Sequence, residues 1–407
     1  MKLIKLLKYT ALLFLVSVQL TFASKYYVNA INGNDNNTGL SPSSAWQTIN
    51  KVNNFKYFSG DIIAFNRGQT FTGYTLIPNA NNLTFTAYGT GDLPVIDAKN
   101  NLEYCVKLNH KNKITFSFLK FYDAKVECMD VNNANYLTLD SCIFDGNFHE
   151  AQTAYIGLSY YTHITSCTFK NAASNGIYKN PHGLYLGGGG YQIIEYCRFL
   201  NNQSCGIHIN VNVNPDGRVH HPIIRYNWFE GNSQNFQDQA SDSLEFYNNI
   251  LVDNPNIKFS NGVTFSYEAA YSQFAPKNAL VHDNLIITND SLYGHIGIFV
   301  YGANAINGLT FKNNILLFTN VRPGKGHFVY QQSGSGDLIF NNNLFYRNGG
   351  NQNNFANLQG TSYKSFNEWK SSGQDPNGVW ANPIYNYPKN MNSEFLKILR
   401  SMDKSSK

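Results

Sequence analysis

The sequence predicts an all-β protein built as a parallel β-helix, a solenoid in which short strands stack turn upon turn. Two observations favour this fold. Short segments that alternate apolar and polar residues recur along the chain, and glycine, tyrosine and phenylalanine are abundant while only 14% of residues are charged. Strong helix formers rarely cluster, so a strand-rich chain with many turns is expected.

The repeated unit is a short strand followed by an asparagine-rich turn. Eight segments superpose on an apolar doublet, and we take the residue before that doublet as the register position. The register positions are Cys142, Cys167, Cys197, Asn227, Asn249, Asn284, Asn314 and Asn343. Their spacing of about 22 to 35 residues is typical of solenoids, and no unit shows a helical period. Each turn is therefore expected to contain two or three short strands.

The register residues are expected to stack from one turn to the next. Amide side chains can then bond to their counterparts above and below, which satisfies polar groups buried at a corner. The cysteines at the same position are expected to be small buried thiols. Disulfides are the alternative for six cysteines in an exported chain, whereas metal binding lacks a Cys-x-x-Cys pair.

Residues 1–23 have the pattern of a signal peptide, with three lysines before an apolar run and a small-residue site after it. The mature chain is therefore expected to be secreted, periplasmic or at the cell surface, with no membrane span. Without these lysines, basic and acidic residues are nearly balanced, which gives no indication of nucleic-acid binding. Residues 24–390 are expected to form the solenoid, and residues 391–407 a terminal cap or tail.

The mature N-terminus carries several elements in a fixed order. They are a Tyr-Tyr-Val strand at 26–28, a Gly-Asn-Asp turn at 33–39, an Ala-Trp segment at 45–49 and a Gly-Asp strand at 60–65. In this order they resemble the opening of secreted bacterial right-handed parallel β-helix proteins of the pectate-lyase-like superfamily. The resemblance implies a right-handed solenoid of about ten coils, with a short capping helix around Trp46 to Phe55. It continues to a tail element at 365–385.

The resemblance implies a class of activities rather than one reaction, because its members include lyases, uronate epimerases, glycoside hydrolases and proteins without an assigned reaction. We expect a monomeric, polysaccharide-active protein, with a lyase or C5-epimerase acting on an acidic glycan as the leading hypothesis. A glycoside hydrolase and a non-catalytic glycan-binding protein are the alternatives. The sequence gives no certain indication of a cofactor. The resemblance implies calcium as a possible one, because several members of the superfamily use it.

Cationic and imidazole side chains concentrate between residues 178 and 225. Elimination at a uronate needs a cation to neutralise the carboxylate, a base for the C5 proton and an acid for the leaving oxygen. The residues expected to supply these functions are Tyr178, Lys179, His182, His208 and Arg218. Tyr178 and His182 also resemble the Tyr-x-x-Asp-Pro-His element of alginate epimerases, although "YKNPH" is one residue shorter and has Asn180 in place of the aspartate.

Strand alternation predicts which neighbouring side chains face outward. In "CGIHIN", Ile207 and Ile209 should point into the solenoid, which places His208 and Asn210 on its surface. Aromatic rings stack on sugars, and amides or hydroxyls bind sugar hydroxyls. The residues expected to bind substrate are Tyr185, Asn210, His220, Arg225, Thr264, Glu268, Phe299 and Tyr301.

Hydrolysis would instead require two carboxylates across a cleft. The carboxylates nearest to this face in the sequence are Asp238, Asp242, Glu245 and Glu268.

The stretch "KNPHGLYLGGGG" at 179–190 has four consecutive glycines. A phosphate-binding loop would need a helix after the glycines, but another repeat strand follows. The glycines are therefore expected to form a corner between two strands.

Overall fold

The structure is a computed structural model, which describes residues 23–149, 152–174, 181–212, 217–257, 260–267, 269–289, 294–302, 306–319, 326–332, 336–348 and 354–383, with Lys397. The described chain forms three long β-sheets that run the length of a right-handed parallel β-helix. The predicted signal peptide and tail lie outside the described residues, apart from Ala23 and Lys397.

Sheet A contains twelve parallel strands. Its strands are Lys25–Val28, Ile62–Asn66, Thr84–Tyr88, Thr115–Ser117, Thr138–Asp140, His163–Thr165, Ile193–Glu195, Ile223–Arg225, Glu245–Tyr247, Leu280–His282, Leu309–Lys312 and Leu338–Asn341. From Ile62–Asn66 onward, each strand of sheet A is followed in the chain by a strand of sheet B. Its strands are Thr70–Phe71, Val95–Asp97, Lys120–Tyr122, Ile143–Asp145, Thr168–Lys170, Arg198–Leu200, Trp228–Glu230, Ile250–Val252, Leu285–Thr288, Ile315–Phe318, Leu344–Arg347 and Val379–Trp380.

Sheet C forms the third side and carries the longest strands. Its strands are Tyr104–Asn109, Glu127–Asn132, Gln152–Tyr160, His182–Gly190, Cys205–Asn210, Gln234–Asp238, Asn261–Phe265, Ile296–Val300, His327–Gln331, Ala356–Leu358 and Thr361–Tyr363, with the short strands Val219–His220 and Ser241–Asp242 at one end. Only the final pair, Ala356–Leu358 with Thr361–Tyr363, is antiparallel within the described chain.

The bend between sheets A and B is built from two residues in each repeat. The second residue is the register position, and its side chain points inward. The first residue has a positive φ near 55° in all eight repeats, at Ser141, Ser166, Tyr196, Tyr226, Asn248, Asp283, Asn313 and Asn342. One left-handed residue is therefore enough to turn the chain from one sheet to the next.

The register side chains link successive turns through hydrogen bonds. The amide of Asn249 accepts the backbone N–H of Asn227 at 3.0 Å and donates to the side chain of Asn284 at 3.1 Å. The thiols continue the same file, because the Cys142 N–H contacts the Cys167 sulfur at 3.4 Å. Cys142, Cys167 and Cys197 are buried, as their register position predicts, and all six cysteines are free and buried.

Stacked phenylalanines fill much of the space between the sheets. Phe121, Phe144, Phe169, Phe199 and Phe229 stack in one continuous column, with ring centroids 4.7 to 5.2 Å apart. Offset stacking of this kind stabilises the core beyond the burial of apolar area.

Aromatic residues close both described ends of the solenoid. Trp46 is fully buried and stacks on Tyr26, and the helix Ile49–Asn54 follows it, capped by the Thr48 hydroxyl. At the other end, the helix Phe366–Ser371 buries Trp369. The 3₁₀ turns Pro42–Ser44 and Ala269–Phe274 are the other described helical elements. No helix among the described residues is long and apolar enough to cross a bilayer.

We predict that Asn249→Ala lowers the free energy of unfolding by about 3 kcal/mol, because it leaves buried groups of the two adjacent turns without partners. Chemical denaturation measures this change. The exposed Asn36 provides the control, since Asn36→Ala should shift stability by less than about 0.5 kcal/mol. Equal effects of the two substitutions would show that stacked amides do not hold the turns together.

Candidate functional site

The outer face of sheet C brings several of the predicted residues into one column. The register pairs Tyr155 with Tyr185, Tyr185 with His208, and His208 with Gln237. Thr264, Phe299 and Tyr330 extend the same column along later turns. Strand neighbours lie about 4.8 Å apart, so consecutive members of the column are in contact range. The predicted orientation of Ile207 and Ile209 is confirmed, since both are fully buried inside.

His182 turns onto this outer face although it has the same sequence parity as the inward Leu184. The strand pairing skips Gly183, since Gln152 pairs with His182 and Ala154 with Leu184. A Cβ on Gly183 would lie 2.6 Å from the Gly206 carbonyl oxygen, so the position is closed to larger residues. His182 Nε2 lies 3.0 Å from His208 Nδ1, and the two rings are 4.3 Å apart. The structure therefore brings two of the predicted catalytic residues together.

The hydrogen bonds of this histidine pair fix its tautomers. The Cys205 N–H donates to His182 Nδ1 at 3.3 Å, so the ring proton of His182 sits on Nε2 and is donated to His208 Nδ1. His208 then donates its own Nε2 proton to Gln239 Oε1 at 2.7 Å. All four ring nitrogens have a partner, so neither imidazole offers a vacant lone pair to a substrate.

Burial keeps both imidazoles neutral. It lowers the pKa of His182 well below the ordinary value of 6.5, and the neighbouring His208 lowers it further. Burial also lowers the pKa of His208 to about 4, against a smaller opposing effect of the Gln239 hydrogen bond. These histidines therefore form a neutral, ordered pair beneath Tyr185, whose ring contacts both.

The predicted cations are engaged elsewhere. Arg218 donates to the backbone carbonyls of Ala275 at 2.7 Å and Gln273 at 2.6 Å, so it holds the segment that follows the strand Asn261–Phe265. Arg225 does not lie on this face: it belongs to sheet A and forms an ion pair with Glu195 at 2.8 Å. Sequence proximity placed it near His208, but consecutive strands of a solenoid belong to different sheets.

The other predicted substrate-binding residues are distributed along and beside the face. His220 approaches Asp242 at 4.0 Å on the short strands at one end of sheet C, and the Asn210 side chain accepts from the Val211 N–H at 2.7 Å. Thr264 is fully buried, and Tyr301 stacks on Phe299. Tyr178, Lys179 and Glu268 lie outside the described residues.

The carboxylates considered for hydrolysis are dispersed. Asp238 points inside the solenoid and accepts bonds from the Ser241 hydroxyl and N–H; burial raises its pKa to about 6. Asp242 pairs with Lys277 at 3.1 Å, and the exposed Glu245 lies on sheet A. The described members of this set therefore do not form a facing pair.

A different carboxylate pair, absent from the sequence prediction, lies on the outer face of sheet C. Glu127 and Asp130 come from the strand Glu127–Asn132, and both are almost fully buried. Asp130 forms an ion pair with Lys107 at 3.4 Å and accepts from the Asn132 amide at 2.8 Å. We call Lys107, Glu127, Asp130, Gln152 and Tyr155 the Glu127 cluster.

Glu127 is held as a neutral acid. Burial raises its pKa from 4.5 to about 8, with smaller opposing contributions from Gln152 and Lys107 and a raising contribution from Asp130. The Gln152 amide donates to Glu127 Oε1 at 2.5 Å, so the carboxyl proton resides on Oε2. Within the described part of the chain Oε2 is buried and has no hydrogen-bond partner.

Tyr155 completes the cluster and lies across a floor of glycines. A Cβ on Gly157 would come within 2.3 Å of the Tyr155 hydroxyl oxygen, and one on Gly187 within 3.1 Å. The hydroxyl accepts from Asn212 at 3.1 Å. Burial and then the charge of Glu127 raise the Tyr155 pKa.

The expected glycine corner is therefore wrong. Gly187 to Gly190 continue the strand His182–Gly190, where they make room for the ring of Tyr155 and for the neighbouring backbone.

No group of three or more His, Cys, Asp or Glu side chains that could hold a metal ion occurs in the described ranges.

Comparison with known proteins agrees with this architecture. Residues 106–275 match the family model described as "Right handed beta helix region", and no curated protein matches the sequence. The prediction of a right-handed parallel β-helix is confirmed, and the fold defines the chain as a protein of this class.

Three similar solved structures illustrate the range of this class. A GH136 lacto-N-biosidase from Eubacterium ramulus has 13% identity and a TM-score of 0.58, covering 88% of this chain and 67% of its own. An alginate lyase from Paenibacillus has 16% identity and a TM-score of 0.50, covering 64% of this chain and 95% of its own. PfbA, a surface adhesin of Streptococcus pneumoniae, has 10% identity and a TM-score of 0.55, covering 70% of this chain and 79% of its own. At these identities the likeness concerns the fold alone.

We predict that wild-type protein loses stability relative to Glu127→Gln as the pH rises. Below pH 4.5 Glu127 is protonated in both the folded and unfolded states, so its stabilising contribution is fully present there. Between 4.5 and about 8 the unfolded state releases the proton first, which destabilises the wild type by up to about 1.4 kcal/mol per pH unit. Denaturation of both proteins across this range measures the difference in their free energies of unfolding. A difference that does not change with pH would show that Glu127 has the pKa of an ordinary carboxyl group.

We predict that the histidine pair keeps one tautomeric state as the pH falls below 6.5. Nitrogen-15 NMR should find His182 and His208 neutral and protonated at Nε2. Because the folded pKa of His208 is lowered, its contribution to stability is present above 6.5 and is lost as the pH falls through about 4. Protonation of both rings between pH 6 and 7 would contradict this arrangement.

Proposed function

We propose that the protein is a polysaccharide-active enzyme that hydrolyses glycosidic bonds at the Glu127 cluster. The observation that carries this proposal is the protonated carboxyl of Glu127 beside the lysine-paired carboxylate of Asp130. Glycoside hydrolysis requires one carboxylic acid, kept neutral by its surroundings, and one carboxylate. The described residues supply both on one sheet face.

Each member of the cluster has a role that follows from its contacts. Glu127 donates its proton to the glycosidic oxygen as the bond to the anomeric carbon breaks, while Gln152 holds Oε1 in place. A water molecule then adds to the anomeric carbon and returns a proton to Glu127. Asp130 provides the negative charge that stabilises the oxocarbenium-like transition state. Tyr155 and the adjacent Tyr185, with ring centroids 5.5 Å apart, supply aromatic surface for a sugar ring.

A lyase or C5-epimerase acting on an acidic glycan is the second candidate. Lys107 and neutral Glu127 favour it, because an ammonium and an undissociated acid can both bind a uronate carboxylate. The histidine pair supports it less, since all four ring nitrogens are engaged, and Arg218 donates to backbone carbonyls. Hydrolysis is therefore the reaction that the geometry supports best.

The similar structures are consistent with glycan as the ligand but do not select a reaction, since they comprise a lacto-N-biosidase, an alginate lyase and an adhesin. We also propose that the enzyme is exported through its N-terminal segment and acts as a monomer. N-terminal sequencing of the mature protein should begin after Ala23, and light scattering should give the mass of one chain.

Incubation with a panel of neutral polysaccharides, alginate and pectate tests the reaction. We predict new reducing ends without the ultraviolet absorbance of unsaturated uronates, and a loss of about 10³-fold in kcat for Glu127→Gln. Asp242→Asn, which alters an ion-paired carboxylate at the end of the same sheet, should retain activity. Unsaturated products or altered uronate composition would select the lyase or epimerase, whereas binding without turnover would indicate a non-catalytic protein.

A further inference from the structure

A cavity lies on the outer face of sheet C, on later turns of the solenoid than the Glu127 cluster. Its volume is about 430 Å³, and its walls include Asn261, His295, Phe299, Tyr330 and Gln332. We call it the Phe299 cavity. Phe299 and Tyr330 are adjacent members of the outer column, with ring centroids 5.7 Å apart.

The Phe299 cavity is separate from the Glu127 cluster. Six strand steps lie between the strands Glu127–Asn132 and Ile296–Val300, which places the two sites about 29 Å apart along the solenoid axis. Between them, His208, Gln237 and Thr264 are all buried, with exposures of 6%, 7% and 0%. A single sugar residue bound at the Phe299 cavity therefore does not touch the Glu127 cluster.

His295, in the cavity wall, forms an ion pair with Asp253 that has no net charge. His295 Nδ1 lies 2.6 Å from Asp253 Oδ2, and Nε2 lies 2.7 Å from the Ile257 carbonyl oxygen. Because both partners are acceptors, both ring nitrogens carry protons, and the imidazolium charge is balanced by Asp253. This buried ion pair also fixes one wall of the cavity.

The remaining wall groups have the chemistry of a sugar site. Asn261 and Gln332 provide amide donors and acceptors, Tyr330 provides a hydroxyl, and the partly exposed rings of Phe299 and Tyr330 provide apolar faces. Sugar sites combine aromatic surface with a few convergent polar groups. The described wall residues carry no net charge, which favours an uncharged pyranose over a uronate.

We propose that the Phe299 cavity binds a neutral sugar residue of a polysaccharide and anchors the enzyme to polymeric substrate. This inference rests on the proposed function in one respect, namely that the ligand is a glycan. Since the site lies about 29 Å from Glu127, it contributes to the binding of polymers but not to that of disaccharides.

The test compares polymer and disaccharide binding in the Glu127→Gln background, which prevents turnover. The probes are xylan, β-glucan, galactan and arabinan, with disaccharides prepared from each, in affinity electrophoresis and calorimetry. We predict that Phe299→Ala weakens binding of the preferred polymer about tenfold, as expected for loss of an aromatic contact worth about 1.4 kcal/mol, and leaves disaccharide binding unchanged. Tyr226→Ala is the matched control, because it alters a stacked aromatic on another side of the solenoid.

Each outcome separates the two proposals. Equal weakening of polymer and disaccharide, no weakening, or no binding of any panel polymer would overturn the sugar site. Polymer binding that depends on Phe299 in a wild-type protein without turnover would keep the sugar site and overturn the proposed hydrolysis. Circular dichroism and thermal unfolding of each variant confirm that the fold is retained.

Discussion

The parallel register between successive turns is the constraint on which the rest of the structure depends. Because backbone hydrogen bonds join each strand to its counterpart about 4.8 Å above and below, equivalent residues form columns along the whole solenoid. The phenylalanine column, the file of register asparagines and cysteines, and the outer column from Tyr155 to Tyr330 all follow from it. A residue in this fold therefore acquires its environment from neighbours some thirty positions away in sequence.

Stacking in columns also explains the unusual protonation states. Outer side chains on neighbouring turns cover one another, so a titratable residue loses water without entering the core. Glu127 consequently retains its proton near neutral pH, while His208 gives up its proton. In the first case desolvation creates a proton donor, and in the second it creates a rigid support for Tyr185. Both effects come from the position in the column rather than from residue type.

Sequence reasoning predicted the solenoid, the inward strand residues and the contact region of His182 and His208, because apolar alternation and the Asn/Cys repeat report the register directly. It missed Glu127 because this residue shares its parity with the inward Met129, and simple alternation would bury it inside. The strand pairing skips one residue directly after Glu127 and directly after His182, and there the simple alternation does not hold. Arg225 was misplaced for a different reason: proximity in sequence does not imply a shared sheet when each turn visits three sheets.

The central claim is that Glu127 presents a proton to a glycosidic oxygen on the outer face of sheet C. A crystal structure of the Glu127→Gln protein, soaked with an oligosaccharide of the polymer that the wild type prefers, tests this claim most directly. We expect a glycosidic oxygen within hydrogen-bond distance of the substituted side chain and a sugar ring against Tyr155 or Tyr185. A saccharide bound only on sheets A or B, or one bound on sheet C without contact to residue 127, would contradict this expectation.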